Sequence, residues 1–149
     1  MGRRDIRRSG RPLFVALVAL LLGSACTGAA PPRAGTSVAI HEHDFRIDAS
    51  AITVASGAVS FDVHNDAPAT HEFVLVRTDD PDDRLPIAAD GISVDEDVLT
   101  SVGELSDVPA GADETLSLSL APGRYVYFCN MEGHYMGGMH GVLEVTPDA

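Results

Sequence analysis

The sequence predicts an all-β fold, an antiparallel Greek-key β-sandwich of seven to eight short strands, and three observations support this. Short runs rich in β-branched and alternating apolar residues recur from residue 38 onward, and turn residues separate them. No heptad pattern, long repeat or extended helical run interrupts the series. In order, VAIHEHDFRI (38–47) reads as one strand, followed by AITVAS (51–56) and VSFDVHN (59–65), with Ser56-Gly57 and Asn65-Asp66 as turn signals. HEFVLVR (71–77), ETLSLSLA (114–121), RYVYFC (124–129) and GVLEVT (141–146) complete it. TLSLSL alternates strictly, so one of its faces is expected to be buried and the other wet. Residues 78–113 are acidic and broken by proline. They read as a long connection with one short helix or strand near VLTSVGEL (98–105).

Ahead of these strands the composition changes. Five arginines precede LFVALVALLL (13–22), an apolar run too short to span a bilayer, which takes about 20 residues. Small residues then lead to Cys26. This is the pattern of an export signal, residues 1–25, cleaved before Cys26. GSAC resembles a bacterial lipobox, with Gly23 where leucine is usual, and the resemblance implies a lipid on Cys26; plain secretion is the alternative. TGAAPPRAGT reads as tether, so that residues 26–36 link the anchor to a domain at 37–147.

Beyond Cys26 the chain has five arginines against 21 Asp and Glu, a formal net of −16, which argues against nucleic acid as a partner. If Cys26 carries lipid, Cys129 is left as a single thiol in an exported domain. It has no disulfide partner and is open to oxidation unless something occupies it.

Cys129, His134 and Met139 bring a thiolate, an imidazole and a thioether to one loop between two strands. Soft sulfur donors with imidazole select copper or zinc, and two histidines, a cysteine and a weak axial methionine make a blue-copper set. A second imidazole is then needed. His71, which opens a strand after the turn-rich NDAPAT, is the strongest candidate. Met131 and Met136 share the loop and compete for the axial place. His41, His43, His64 and His140 read as exposed or structural, with HEH (41–43) a weak surface-metal motif. Gly133, Gly137 and Gly138 suit a tight loop. Taken singly, a buried cysteine is a small hydrophobe and a methionine is core filler; the spacing distinguishes this group from that plainer reading.

VHNDAPATHEFVLV, followed by APGRYVYFCNMEGHYMGGMHGVLEV, resembles the cupredoxins, the type 1 copper proteins that include plastocyanin, azurin, rusticyanin and sulfocyanin. The likeness runs over about residues 37–147, and the C-x4-H-x4-M spacing is similar to that of rusticyanin and sulfocyanin. It implies one type 1 copper held by His71, Cys129, His134 and Met139. Glu72 stands where the best-known members have asparagine.

The resemblance implies an electron carrier rather than an enzyme, a monomer whose partner is a redox protein such as a cytochrome or an oxidase subunit. The membrane is reached through lipid on Cys26, at the outer face of the cytoplasmic membrane or in the envelope. His134 would be the electron port, with Tyr135, Met136 and His140 around it, and the acidic 79–97 segment would steer a basic partner. The alternative function is copper storage or delivery in the cell envelope.

Overall fold

The computed structural model describes Gly2 and residues 35–148. The predicted signal peptide, Cys26 and all but the end of the tether lie outside the described residues. Nine strands form among the described residues: β1 (Thr36–His43), β2 (Arg46–Ala49), β3 (Thr53–Ala55), β4 (Gly57–Asn65), β5 (His71–Arg77), β6 (Thr100–Val108), β7 (Asp113–Leu120), β8 (Gly123–Phe128) and β9 (His140–Thr146). Among the described residues a single 3₁₀ turn lies at Glu96–Val98. They make two sheets, β2-β1-β4-β7 and β3-β9-β8-β5-β6, packed as a Greek-key sandwich.

Three details differ from the expectation. The first run is two strands, because Asp44 and Phe45 form a turn that pairs His43 with Arg46. Phe45 takes φ 61, a conformation uncommon for a residue with a side chain, so no glycine or asparagine marked the turn. The short helix or strand expected near 98–105 is β6, but it is longer, a nine-residue edge strand on β5 whose residues are mostly polar and exposed. The sheets are also mixed: β1 runs parallel to β4, and β3 to β9.

Alternation explains the main core. Val38 and Ile40 on β1 and Val59, Phe61 and Val63 on β4 meet Phe73, Leu75, Tyr127 and Leu143 of the other sheet. Phe61 and Phe73 join across the sandwich with ring centroids 5.3 Å apart. The uninterrupted FVLV of β5 has a separate cause. Val74 and Val76 face away from that core and are covered by Leu85 and Val94 of the long connection, together with Val126, Phe128 and Tyr135. The acidic segment is thus folded onto the back of the larger sheet, beside the loop that leaves β8.

Candidate metal centre

The loop from Cys129 to Met139 begins where β8 stops and is closed at its base, the Cys129 N–H donating to the Met139 carbonyl at 3.0 Å. Within it the N–H of His134 reaches Met131 O (2.9 Å), that of Gly137 reaches Gly133 O (2.9 Å) and that of Met139 reaches His134 O (3.1 Å). These helix-like turns bring His134 back over Cys129. Gly133 (φ 79) and Gly138 (φ 111) supply the left-handed backbone the loop needs. Gly137 is required for space, because a Cβ there would run into the Phe45 ring.

His71 arrives from the opposite side, and Asn65 fixes the turn that delivers it. The Asn65 side chain donates to Ala69 O and Val108 O, both at 2.7 Å, and accepts from the Ala67 N–H at 2.8 Å. Sequence reading took Asn65 as a turn residue and missed this role, which depends on a contact 43 positions away.

Three donors converge. His71 Nδ1 lies 3.2 Å from His134 Nδ1, and the Cys129 sulfur is 3.8 Å from the first and 3.5 Å from the second. Three donors in a plane around one ion, at about 2.0 Å for nitrogen and 2.3 Å for sulfur, stand roughly 3.5 Å (N to N) and 3.8 Å (N to S) apart. The observed triangle therefore fits a metal ion. His71, Cys129 and Met139 are fully buried and His134 is half-buried. Met139 belongs to the same core cluster as Cys129, whereas Met131 and Met136 reach solvent, so burial favours Met139 for the axial place.

The surroundings also suit a cation. Burial pushes the Cys129 thiol up to about 11, against the pull of the Glu72 and Met131 backbone N–H groups, so the thiolate forms only when a positive charge enters. Burial, then repulsion from His134, holds His71 below the usual imidazole range, which leaves its ring neutral and able to donate a lone pair. Its other nitrogen, Nε2, has no hydrogen-bond partner among the described residues and faces Asp44 at 3.6 Å. Glu72 touches the sulfur through its backbone N–H, at 3.4 Å, a contact any side chain at that position permits.

The connection clasps this loop from behind. The Tyr135 hydroxyl donates to Asp82 O (2.8 Å) and accepts the Leu85 N–H (2.7 Å), while His140 Nδ1 meets Asp82 Oδ2 at 2.8 Å. Asn130 takes the Val94 N–H at 2.7 Å and gives its own to Glu96 at 2.6 Å. Of the three neighbours expected around His134, Tyr135 is buried and His140 is engaged with Asp82; Met136 alone lies on the exposed rim. Phe45, with its ring 5.3 Å from that of His134, is exposed there too and was not anticipated.

A family model described as copper-binding proteins of the plastocyanin/azurin family matches residues 34–146. Among solved structures the chain is similar to dithionite-reduced auracyanin from the photosynthetic bacterium Roseiflexus castenholzii. The two share 26% identity at a TM-score of 0.60, over 76% of this chain and 99% of that one. It shares its fold with rusticyanin from Thiobacillus ferrooxidans, at 17% identity and a TM-score of 0.55, over 76% of this chain and 79% of that one. Auracyanin-B of Chloroflexus aurantiacus is 59% identical over 27 residues, a stretch that is 18% of this chain and 12% of that protein.

Proposed function

We propose a single-electron carrier, on the premise that the chain belongs to the plastocyanin/azurin family of copper-binding proteins, a membership that implies copper-based electron transfer. In this reading His71 and His134 would hold the ion through Nδ1 and Cys129 through its thiolate, and Met139, buried in the same cluster as Cys129, would add its thioether. Copper supplies the one-electron couple between Cu(II) and Cu(I). The observation that carries the reading is the buried triangle of two imidazole nitrogens and one sulfur.

The chain keeps this donor set still. His71 is tied through the Asn65 turn, Cys129 through the end of β8, and His134 through a loop braced by Tyr135 and Asn130. Ligands locked by such outer contacts keep one geometry while the charge at the site changes. His134 is the route in, since its ring is the one imidazole of the set that reaches the surface, and exposed Phe45 and Met136 give a partner an apolar patch to dry. A cytochrome or oxidase subunit with a basic surface fits the acidic 79–97 segment, with an on-rate that falls as salt rises. We assign no enzymatic step. The protein acts as a monomer, exported by its 1–25 leader and held at the outer face of the membrane by lipid on Cys26; without that lipid it is secreted.

Copper storage or delivery is the second reading, favoured by the exposed thioether of Met136 at the rim. Repeated electrochemical cycling beside a copper(I) chelator separates the two. A carrier keeps its metal and its potential through the cycles; steady loss of copper to the chelator would support delivery and overturn electron carriage.

A further inference from the structure

The outer face of the smaller sheet holds a second group of metal-binding side chains, away from Cys129. His41 and His43 alternate outward on β1, and the parallel register sets His41 beside His64 of β4, their rings 5.9 Å apart. Asp66, just beyond β4, sits among them. His41 Nδ1 is 2.7 Å from its Oδ2, His64 Nε2 is 3.3 Å from its Oδ1, and His43 Nε2 is 3.8 Å from Oδ2. Two more carboxylates flank the group, Asp113 against His64 Nδ1 at 2.8 Å and Asp48 against His43 Nε2 at 3.4 Å; Arg46 is bound to Asp48.

Three imidazoles each bring a nitrogen to the same carboxylate. Three aspartates against a single arginine make the patch attractive to a cation. Ligands at about 2.0–2.1 Å around a tetrahedral ion stand roughly 3.3 Å apart; the imidazole-to-Asp66 separations, 2.7, 3.3 and 3.8 Å, lie near that value, while the His41 and His64 rings, with centroids 5.9 Å apart, have to turn toward one another to share an ion. The side chains are a third to a half exposed, which leaves them room to turn.

We propose that His41, His64 and Asp66, with His43 in support, form a second, solvent-facing site for one divalent transition-metal ion of the Cu(II) or Zn(II) class. Nitrogen and carboxylate donors without sulfur suit such an ion, and they would give it none of the thiolate character of the Cys129 centre.

The test starts from protein whose Cys129 site is already filled with copper and adds a further equivalent of Cu(II). The expected result is a new EPR component of nitrogen- and oxygen-bound copper, with the visible spectrum of the first site unchanged. Double substitution His41→Ala/His64→Ala should weaken this second binding by roughly tenfold or more, and Asp66→Asn should weaken it measurably. If the Cys129 site takes no copper, the same titration of Cys129→Ala/His71→Ala protein, which lacks that site altogether, should still show one bound ion. No second ion in the unsubstituted protein, or one bound as tightly after His41→Ala/His64→Ala, would overturn the proposal.

Discussion

On the inner face of the β1–β4 ladder, Glu42 is fully buried and neither of its carboxylate oxygens has a hydrogen-bond partner among the described residues. On the outer face, one backbone hydrogen bond away, Asp66 is met by three imidazoles. The two acids respond oppositely. Burial, then repulsion from Glu72, pushes Glu42 up to about 8, whereas the hydrogen bond from His41 draws Asp66 below the ordinary carboxylate range. Polar groups on the wet face are satisfied by one another at little cost; inside, burial favours a proton on the Glu42 carboxylate, and the His71–Cys129–His134 donors suit a metal ion.

The inner donors should therefore govern the largest effect. Copper held at a thousandfold over its dissociation constant stabilises the folded state by about 4 kcal/mol. Thermal melts with and without copper should show a gain of that order, and Cys129→Ala should remove most of it.

Glu42 comes next. Its folded pKa lies above its unfolded one, so its contribution is fully present below about pH 4.5 and is lost as the pH rises through about 8. Urea unfolding of the metal-free protein should lose stability across that window, on the order of a few kcal/mol at about 1.4 kcal/mol for each unit of raised pKa. Glu42→Gln should flatten the profile; an unchanged slope would mean that Glu42 is not the buried acid responsible.

A smaller effect is expected where the acidic connection grips the loop. Tyr135→Phe deletes the bond to Asp82 and leaves the Leu85 N–H unpaired, a loss of about 1–3 kcal/mol. Hydrogen exchange should show residues 82–96 opening more readily while the rest of the sandwich keeps its protection.

The smallest belongs to the wet face. Asp66 has a lowered pKa, so its contribution is present at neutral pH and fades as acid takes the pH down through its folded value. Asp66→Asn should change stability slightly at neutral pH and remove that part of the acid limb, as read by unfolding midpoints.

Much of this was legible in the sequence because it depends on local pattern. Alternation revealed the strands of the main core, and the C-x4-H-x4-M loop with His71 gave the donor residues that the fold brings together. What was hidden depends on distant contacts. The element expected near 98–105 could not be resolved as helix or strand because β6 is a polar edge strand, the Phe45 turn lacks the residues that usually mark one, and Asn65 gains its role only when Val108 arrives. Glu42 follows Val38 and Ile40 in the alternation that faces the core, but a carboxylate flanked by two histidines does not read as a core residue. The acidic segment read only as a long connection because its few anchors, Leu85 and Val94, are scattered among carboxylates.

The most direct test of the account is a visible and EPR spectrum of the protein reconstituted with one equivalent of Cu(II), recorded beside Cys129→Ala. The account predicts an intense red absorption from thiolate-to-copper charge transfer and a type 1 EPR signal, both absent from the variant. A colourless protein whose copper signal is unaffected by the substitution would contradict it, and would show that His71, Cys129 and His134 do not hold the ion.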